Sequence, residues 1–169
     1  MTGGAGYIGS HVCKALAEAG AQPICLDTLE KGHDWAVRWG PLEVGDAGDG
    51  RFVEEVFLRH RPRAVIHLAG YIEVGESVAQ PEKYMHNNAG KSRVLIGASV
   101  RHGVQAFVFS STCAVYGLPQ AEHLAETHRI APINPYASSK ANVERALDAA
   151  AWQGLRSASL RYFNASGAD

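Results

Sequence analysis

The stretch Thr2-Gly3-Gly4-Ala5-Gly6-Tyr7-Ile8-Gly9 decides the fold class, because glycines stand at positions 3, 6 and 9. Glycine permits a tight turn and lets the backbone approach a pyrophosphate with no Cβ in the way. The next residues predict an amphipathic helix over residues 7–19, whose N-terminal amides and dipole favour an anion. A glycine triplet is often only a flexible turn. The helix behind it, and an acidic residue after the next strand, favour a dinucleotide-binding turn.

Asp27 is that acidic residue. It follows a strand predicted over residues 21–26 and stands 18 positions after Gly9, close to the spacing of about 20 that a dinucleotide site requires. A carboxylate here can accept hydrogen bonds from the adenosine ribose and would repel a 2′-phosphate. The alternative is an ordinary aspartate in a turn. We predict NAD rather than NADP as the cofactor.

The rest of the chain alternates predicted strands and helices. Further strands are predicted over residues 41–44, 64–70, 106–109 and 157–164, and further helices over residues 51–60, over residues 81–101 and from Pro135 onward. Residues 74–77 are interpreted as a loop. The alternation predicts an α/β protein with a doubly wound, Rossmann-like parallel sheet, helices on both faces and a single NAD-binding domain over residues 1–169.

Composition and charge exclude several function classes. The formal net charge of −1 provides no basic footprint for a nucleic acid, and we find neither a membrane-length apolar run nor a basic-then-apolar leader. Cys13, Cys25 and Cys113 are odd in number and lack CxxC spacing, so we expect small core residues in a reducing cytoplasm. The eight histidines form no ligand cluster, and we expect no metal.

Tyr136 and Lys140 are the candidates for chemistry, because they lie four residues apart on one face of a predicted helix. Such a pair often only decorates a solvated face. Thr112 strengthens the functional interpretation, since it follows Ser110 and Ser111 at the carboxyl end of a predicted strand. Open α/β sheets bind their ligands at that end.

A tyrosine with the ordinary pKa of about 10 is a poor base at neutral pH. The Lys140 ammonium and the positive nicotinamide of NAD⁺ would both favour the phenolate of Tyr136. Lowering its pKa to about 7 corresponds to roughly 4 kcal/mol of differential stabilisation. Thr112 would share the same substrate hydroxyl. The pattern predicts alcohol–ketone redox, in which Tyr136 takes the proton while hydride passes to the nicotinamide.

Five segments, in order, carry a resemblance to a known family: TGGAGYIGSH, HLAGYIEVGES, FSSTCAVYG, INPYASSK and LRYFNASGAD. Together they resemble the UDP-glucose 4-epimerases, which are extended short-chain dehydrogenases/reductases. The resemblance implies tightly held NAD⁺ and interconversion of UDP-glucose and UDP-galactose. It makes Tyr136 the base, Lys140 the residue that holds the cofactor ribose and tunes the tyrosine, and Asn164 a neighbour of the substrate diphosphate. It places Asp46 near adenine.

The predicted site residues form three overlapping groups. The catalytic residues are Tyr136, Lys140 and Thr112, and the substrate-binding residues are Thr112, Tyr136 and Asn164. The cofactor-binding residues are Gly3, Gly6, Tyr7, Ile8, Gly9, Asp27, Asp46, Ala47, Leu68, Ala69, Gly70, Asn87, Asn88, Ser110, Tyr136, Lys140, Tyr162 and Phe163. For Asn87 and Asn88, a hydrogen bond to another helix is an equal alternative, because any buried amide needs a partner.

The sequence also departs from the family pattern. Ile72 stands where some members have a lysine close to the cofactor phosphates, so that contact is not carried over. Only Met1 precedes Thr2, so the first strand is nearly absent, and the C-terminal substrate domain of the family is absent. We therefore expect a fragment truncated at both ends. The family pattern implies a homodimer through helices around residues 85–101 and 136–152.

Three alternatives stay open. A related nucleotide-sugar dehydratase or uronate epimerase would share the redox site, although a dehydratase usually has an acidic pair where Cys113 and Ala114 follow Thr112. A non-catalytic NAD sensor could dispense with Tyr136 and Lys140. The third alternative is that these 169 residues alone are inactive.

Overall fold

The computed structural model describes residues 1–119 and 121–167, and its core is a set of parallel strands with helices around them. The strands are β1 (Cys25–Asp27), β2 (Leu42–Val44), β3 (Ala64–His67), β4 (Ala106–Ser110) and β5 (Arg156–Leu160). The α-helices are α1 (Tyr7–Glu18), α2 (Gly50–His60), α3 (Val74–Ala79), α4 (Pro81–Tyr84), α5 (Lys91–Arg101) and α6 (Pro135–Ala151). The predicted doubly wound, Rossmann-like architecture is confirmed.

The sheet has two parallel parts joined by the first residues of the chain. β1 pairs with β2, and β4 pairs with both β3 and β5. Thr2 bridges Leu26 and His67, so it lies between β1 and β3. Backbone hydrogen bonds run to both sides, from Thr2 N to Ile66 O (3.0 Å) and from Leu26 N to Met1 O (2.7 Å). The first strand, predicted from the sequence to be nearly absent, is thus reduced to Met1 and Thr2. These two residues occupy its central position in the sheet, between β1 and β3.

The main core lies where α2, α5 and α6 cover β3 and β4. Its buried side chains are those of Val53, Phe57, Val65, Ala89, Leu95, Ile96, Ala98, Val104, Phe107, Phe109, Val143, Leu147, Ala150 and Leu155. Helix α2 presents Val53 and Phe57 to this core, and the Asp49 side chain caps its N-terminus by accepting from Arg51 N and Phe52 N. Because this core fixes the strand ends, it also fixes the positions of the loops that follow them.

The strands predicted over residues 21–26, 64–70 and 157–164 are shorter in the structure, as β1, β3 and β5. Two other predicted elements differ in type. The loop predicted at residues 74–77 is the short helix α3, in which Glu76 binds Lys83 Nζ (2.6 Å) and the Tyr84 hydroxyl (2.8 Å) of the next helix. The single helix predicted over residues 81–101 is interrupted by a π turn at Met85–Gly90. Such turns occur often at functional sites, because the extra residue reorients the side chains. Here Asn87 and Asn88 lie on that turn.

Helix α6 begins where the sequence predicts. The Asn134 side chain accepts from Ala137 N at 2.8 Å, and Pro135 occupies the first helical turn. Tyr136 is therefore fixed in the first turn, with Lys140 one turn later. Over residues 1–119 and 121–167, no helix is long and apolar enough to cross a membrane.

Candidate cofactor cleft and catalytic site

The glycine turn is folded tightly against the end of β3. Gly3 has φ +71°, and a Cβ on it would lie 2.7 Å from Ala69 N. A Cβ on Gly9 would lie 2.0 Å from Gly3 O. Gly6 differs, since its Cβ would meet nothing closer than Gly3 O at 3.4 Å, an ordinary contact. The protein thus requires glycine at positions 3 and 9 for its own packing, whereas Gly6 leaves a bare backbone facing the cleft before α1.

Asp27 closes one side of this turn. Its Oδ2 accepts from Ala5 N at 3.0 Å and its Oδ1 from Leu29 N at 2.9 Å. The residue is only 9% exposed, yet it lines the cleft. A carboxylate has about four acceptor positions. Two backbone donors therefore orient Asp27 and leave it capacity to accept ribose hydroxyls.

Asp46 and Lys91 form the far end of the cleft. Lys91 Nζ donates to Asp46 Oδ2 at 2.6 Å, and Gly48 N donates to Asp46 Oδ1 at 2.7 Å. Burial raises the pKa of Asp46, but these two donors outweigh it and hold the pKa below the usual value. The carboxylate is therefore ionised at neutral pH. The sequence prediction missed Lys91, although it lies one turn after Asn87 on the same helical stretch.

The cleft between these residues has a volume of about 270 Å³. Ten of the predicted cofactor residues line it: Gly3, Gly6, Tyr7, Asp27, Asp46, Ala47, Leu68, Ala69, Gly70 and Asn87. Thr28, Glu30, Lys31, Tyr71 and Lys91 also line it and were not predicted. Thr28, Glu30, Lys31 and Tyr71 follow predicted strand ends, and Lys91 lies in the predicted helix over residues 81–101. Their positions could have been inferred, but their orientations could not.

Asn88 is turned away from the cleft. Its side-chain amide accepts from Tyr71 N (2.8 Å) and donates to Tyr71 O (2.9 Å) and to Ser139 Oγ (3.2 Å). Of the two alternatives open for this residue, the structure favours the hydrogen bond within the protein. Asn87 faces the cleft and donates to Asn88 Oδ1 at 3.1 Å.

Ile8, Ser110, Tyr162 and Phe163 are predicted cofactor residues that do not line the cleft. Ile8 lies on α1 in an apolar groove beside residues 165–167. The Tyr162 and Ser110 hydroxyls are hydrogen-bonded to each other near the catalytic residues. Phe163 is 68% exposed and lies near Tyr116 and Arg161 instead. The structure therefore does not bring Phe163 into the cleft.

Lys140 is the buried cation of the catalytic group. It is 3% exposed, and its Nζ donates to Ser110 O at 3.0 Å. A Cβ on Gly70 would lie 3.4 Å from this Nζ, so the glycine that ends the β3 loop leaves room for the lysine. Burial lowers the pKa of Lys140 to about 8. The ammonium thus lies at the junction between the cleft and the carboxyl end of β4.

Tyr136 and Thr112 face each other beside Lys140. Burial raises the pKa of the Tyr136 phenol above its usual value, and the hydrogen bond with Thr112 lowers it only in part. The low pKa expected from Lys140 is therefore not a property of the protein alone. The reason is geometric, since Nζ is directed to Ser110 O and lies 5.9 Å from the centre of the Tyr136 ring.

Thr112 is oriented by the backbone. Its Oγ1 accepts from Ala114 N at 3.2 Å, which caps the short 3₁₀ turn Cys113–Tyr116. In this hydrogen bond the Thr112 oxygen is the acceptor, so the hydroxyl proton stays available for a second bond. It can be donated to Tyr136 or to a substrate oxygen. Asn164, the third predicted substrate residue, is exposed.

Glu144 and Arg161 brace the catalytic strand end, a role that sequence reasoning missed. Arg161 Nη2 donates to Glu144 Oε2 at 2.7 Å, and Arg161 Nη1 donates to the Tyr116 hydroxyl at 2.9 Å. Ser111, next to Thr112, donates to Glu144. The buried carboxylate thereby joins α6, β5 and the end of β4 in one hydrogen-bonded cluster. The contacts of this cluster join residues between 17 and 45 positions apart in sequence, so no local pattern links them.

Comparison with known proteins agrees with this geometry. The family described as "NAD dependent epimerase/dehydratase family" matches residues 1–169. The chain belongs to this family. Its relatives include the UDP-glucose 4-epimerase of Rhizobium meliloti (strain 1021), with 52% identity over 100% of this chain and 52% of the relative. The predicted catalytic residues Thr112, Tyr136 and Lys140 lie at the carboxyl edge of the sheet of this family member.

Two solved structures extend the comparison. UDP-glucose 4-epimerase from Brucella ovis in complex with NAD is 46% identical, with a TM-score of 0.97 over 99% of this chain and 52% of that one. The Thermotoga maritima enzyme with UDP-glucose is 36% identical, with a TM-score of 0.91 over 95% of this chain and 53% of that one. The chain thus spans about half the length of the relatives it matches.

Proposed function

We propose that this chain is the NAD-binding part of a UDP-glucose 4-epimerase, with residues 1–169 as its NAD-binding domain. The observation that carries the proposal is the convergence of Thr112, Tyr136 and Lys140 beside the cleft that the glycine turn lines. Relatives named UDP-glucose 4-epimerase match the whole chain, and one solved relative contains NAD. An NAD sensor would have no use for the catalytic group.

The cleft residues fit an NAD molecule by their own chemistry. Gly6 leaves bare backbone at the start of α1, which suits a pyrophosphate. Asp27 retains acceptor positions for ribose hydroxyls, and its charge disfavours a 2′-phosphate. Lys140 would hold the second ribose. NAD⁺, when bound, would supply the hydride acceptor and a positive ring beside Tyr136.

The protein residues perform the proton transfer. Thr112 donates to the hydroxyl oxygen of the sugar and fixes its orientation, while Tyr136 Oη takes the proton from that oxygen. Tyr136 needs additional positive charge for this step, because burial alone raises its pKa. After the keto sugar has rotated, Tyr136 returns the proton to the same oxygen. Neither proton nor hydride is consumed, which makes the reaction an epimerisation.

The test uses the polypeptide encoded by the whole gene. It is supplied with UDP-galactose, and UDP-glucose formation and NADH absorbance are followed together. We expect UDP-glucose to accumulate to equilibrium without net NADH. Stoichiometric NADH accumulation would indicate a dehydrogenase instead, and release of a dehydrated sugar would indicate a dehydratase. Either result would remove the epimerase proposal.

Two further features belong to the proposal. We place the protein in the cytoplasm, supported by Cys13, Cys25 and Cys113, all of which are free thiols. We also propose a homodimer through α5 and α6, supported by the family resemblance of these helices. The homodimer is tested by sedimentation of the whole gene product at micromolar concentration. We expect the mass of a dimer, and a monomer would contradict the proposal.

A further inference from the structure

Tyr71 and Glu30 make a contact across the cofactor cleft that the proposed reaction does not use. Tyr71 follows β3, Glu30 follows β1, and both line the cleft. The Tyr71 hydroxyl donates to the Glu30 carboxylate and lies 3.1 Å from each of its oxygens. Glu30 is exposed and Tyr71 is half-buried, whereas Leu26 and His67 on the same cleft are buried. The contact therefore lies on the solvent side of the cleft.

Tyr71 is held firmly in this position. The Asn88 amide binds both its backbone N–H and its carbonyl. The centre of its ring lies 5.7 Å from that of the fully buried Tyr84, and Lys83 Nζ lies over the Tyr71 ring, 4.8 Å from its centre. A side chain restrained at its backbone and its ring loses little further freedom on forming a hydrogen bond. The Tyr71 side chain is thus held in one orientation, with its hydroxyl directed at Glu30 in the loop after β1.

The charge of Glu30 argues against a direct contact with the pyrophosphate of the cofactor. A carboxylate beside a glycine turn that favours an anion would repel a pyrophosphate. A hydrogen bond from a neutral phenol gives this carboxylate a partner within the protein. The pair is therefore better suited to joining the two walls than to recognising the ligand.

We propose that Tyr71 and Glu30 form a clasp that retains the dinucleotide in the cleft. The two walls that they join belong to separate loops, so exchange of a bound dinucleotide requires this hydrogen bond to break. Retention is useful in the proposed reaction, because loss of the reduced cofactor before the hydride returns would stop the cycle. The inference rests on the proposed cofactor cleft and not on the identity of the sugar.

The test measures NADH exchange in the whole gene product by stopped-flow fluorescence. NADH association is recorded first, and release is then followed after a chase with excess NAD⁺. We expect Tyr71→Phe to release NADH about fivefold faster, as fits the loss of one hydrogen bond. Association should accelerate by a similar factor, so Kd changes by less than about twofold. Glu30→Gln should act in the same direction.

Glu73→Gln is the matched control, because it removes one carboxylate charge from the loop that carries Tyr71, and Glu73 does not line the cleft. Its exchange rates should equal those of the wild type. Unchanged NADH release in Tyr71→Phe would overturn the clasp. So would faster release with unchanged association, because that pattern indicates a direct contact with the cofactor. Failure of the wild type to bind NADH would instead refute the proposed cofactor cleft.

Discussion

The adenosine end of the site and its catalytic end are built in different ways. Around Gly3 and Asp27, the groups that shape the cleft are mostly backbone atoms held by short hydrogen bonds. Around Tyr136, they are side chains from α6 and from the end of β4, and the predicted substrate residue Asn164 is exposed. The adenosine end is thus a cleft formed mainly by backbone atoms, whereas the catalytic end is a group of side chains.

This difference implies that cofactor binding and chemistry can be separated by mutation. Backbone groups at the adenosine end cannot be removed by changing a side chain, so a change that adds atoms is the direct way to displace them. At the catalytic end, the proposed proton transfer depends on the single hydroxyl of Tyr136. Tyr136 and Gly9 are therefore the positions at which the contrast can be tested most directly.

Tyr136→Phe should have the largest effect. Removing the phenol oxygen eliminates the proton acceptor, and general acid–base groups of this kind contribute about 10²- to 10⁴-fold to turnover. The ring and its packing remain, so the NAD affinity of the whole gene product should change by less than about threefold. Steady-state epimerase assays and a direct NAD titration measure the two quantities.

Tyr116→Phe is the control for that substitution. It also removes a hydroxyl from a buried tyrosine near the end of β4, but this hydroxyl binds Arg161 rather than Thr112. Its turnover should stay within about fivefold of the wild type, the effect of losing one ordinary hydrogen bond. If Tyr136→Phe retained similar turnover, another residue would have to be the base.

Gly9→Ala should disrupt the opposite end of the site. The added Cβ would lie 2.0 Å from Gly3 O, a backbone atom, so the turn must open to accommodate it. We expect a loss of about 3 kcal/mol in the free energy of unfolding, at the upper end of overpacking effects, and at least a tenfold loss of NAD affinity. Urea denaturation and calorimetric titration report these changes.

Gly75→Ala provides the matched comparison, because its added Cβ would meet no atom within 4 Å. Gly75 lies in helix α3, where alanine is favoured over glycine by up to about 1 kcal/mol. This variant should be as stable as the wild type or slightly more stable. Normal NAD binding by Gly9→Ala would show that the turn does not shape the cofactor cleft.

Local patterns in the sequence predicted the strand and helix order, the glycine turn and the start of α6. These features depend on residues close together in the chain, such as Asn134 capping Ala137 N. The short helix α3 was mistaken for a loop, because its main support is a contact from Glu76 to the following helix. The π turn was also missed, since the sequence favours a continuous helix there.

The proximity of the candidate catalytic residues Thr112, Tyr136 and Lys140 was predictable from their combination in the sequence, whereas their electrostatics were not. The pKa of Tyr136 depends on how deeply the ring is buried and where Lys140 Nζ points, and neither follows from the spacing of the two residues. Likewise, the partners of Asn88 come from the β3 loop and from α6, far along the chain. Only the folded structure distinguishes its two possible roles.

His67 connects the glycine turn to α5, and its substitution should have the smallest of the effects predicted here. Its Nδ1 lies 2.5 Å from Thr2 Oγ1 in the glycine turn, and its Nε2 lies 2.6 Å from Ser92 Oγ in α5. Ser92 donates its own proton to Asn88 O, so its oxygen must accept from His67 Nε2–H. Nδ1 therefore accepts from Thr2. This arrangement requires a neutral ring, and protonation would break it.

Burial lowers the pKa of His67 to about 3, below the ordinary 6.5. Between these values the unfolded chain binds the proton and the folded protein does not, so this contribution to stability is complete above pH 6.5 and is lost as the pH falls towards 3. From pH 7 to pH 5, the loss from His67 should be about 2 kcal/mol. His67→Gln keeps one acceptor and one donor without titrating, so its urea midpoint should fall less over this range. Parallel pH dependence in the variant and the wild type would show that His67 does not link the glycine turn to α5 as a neutral ring.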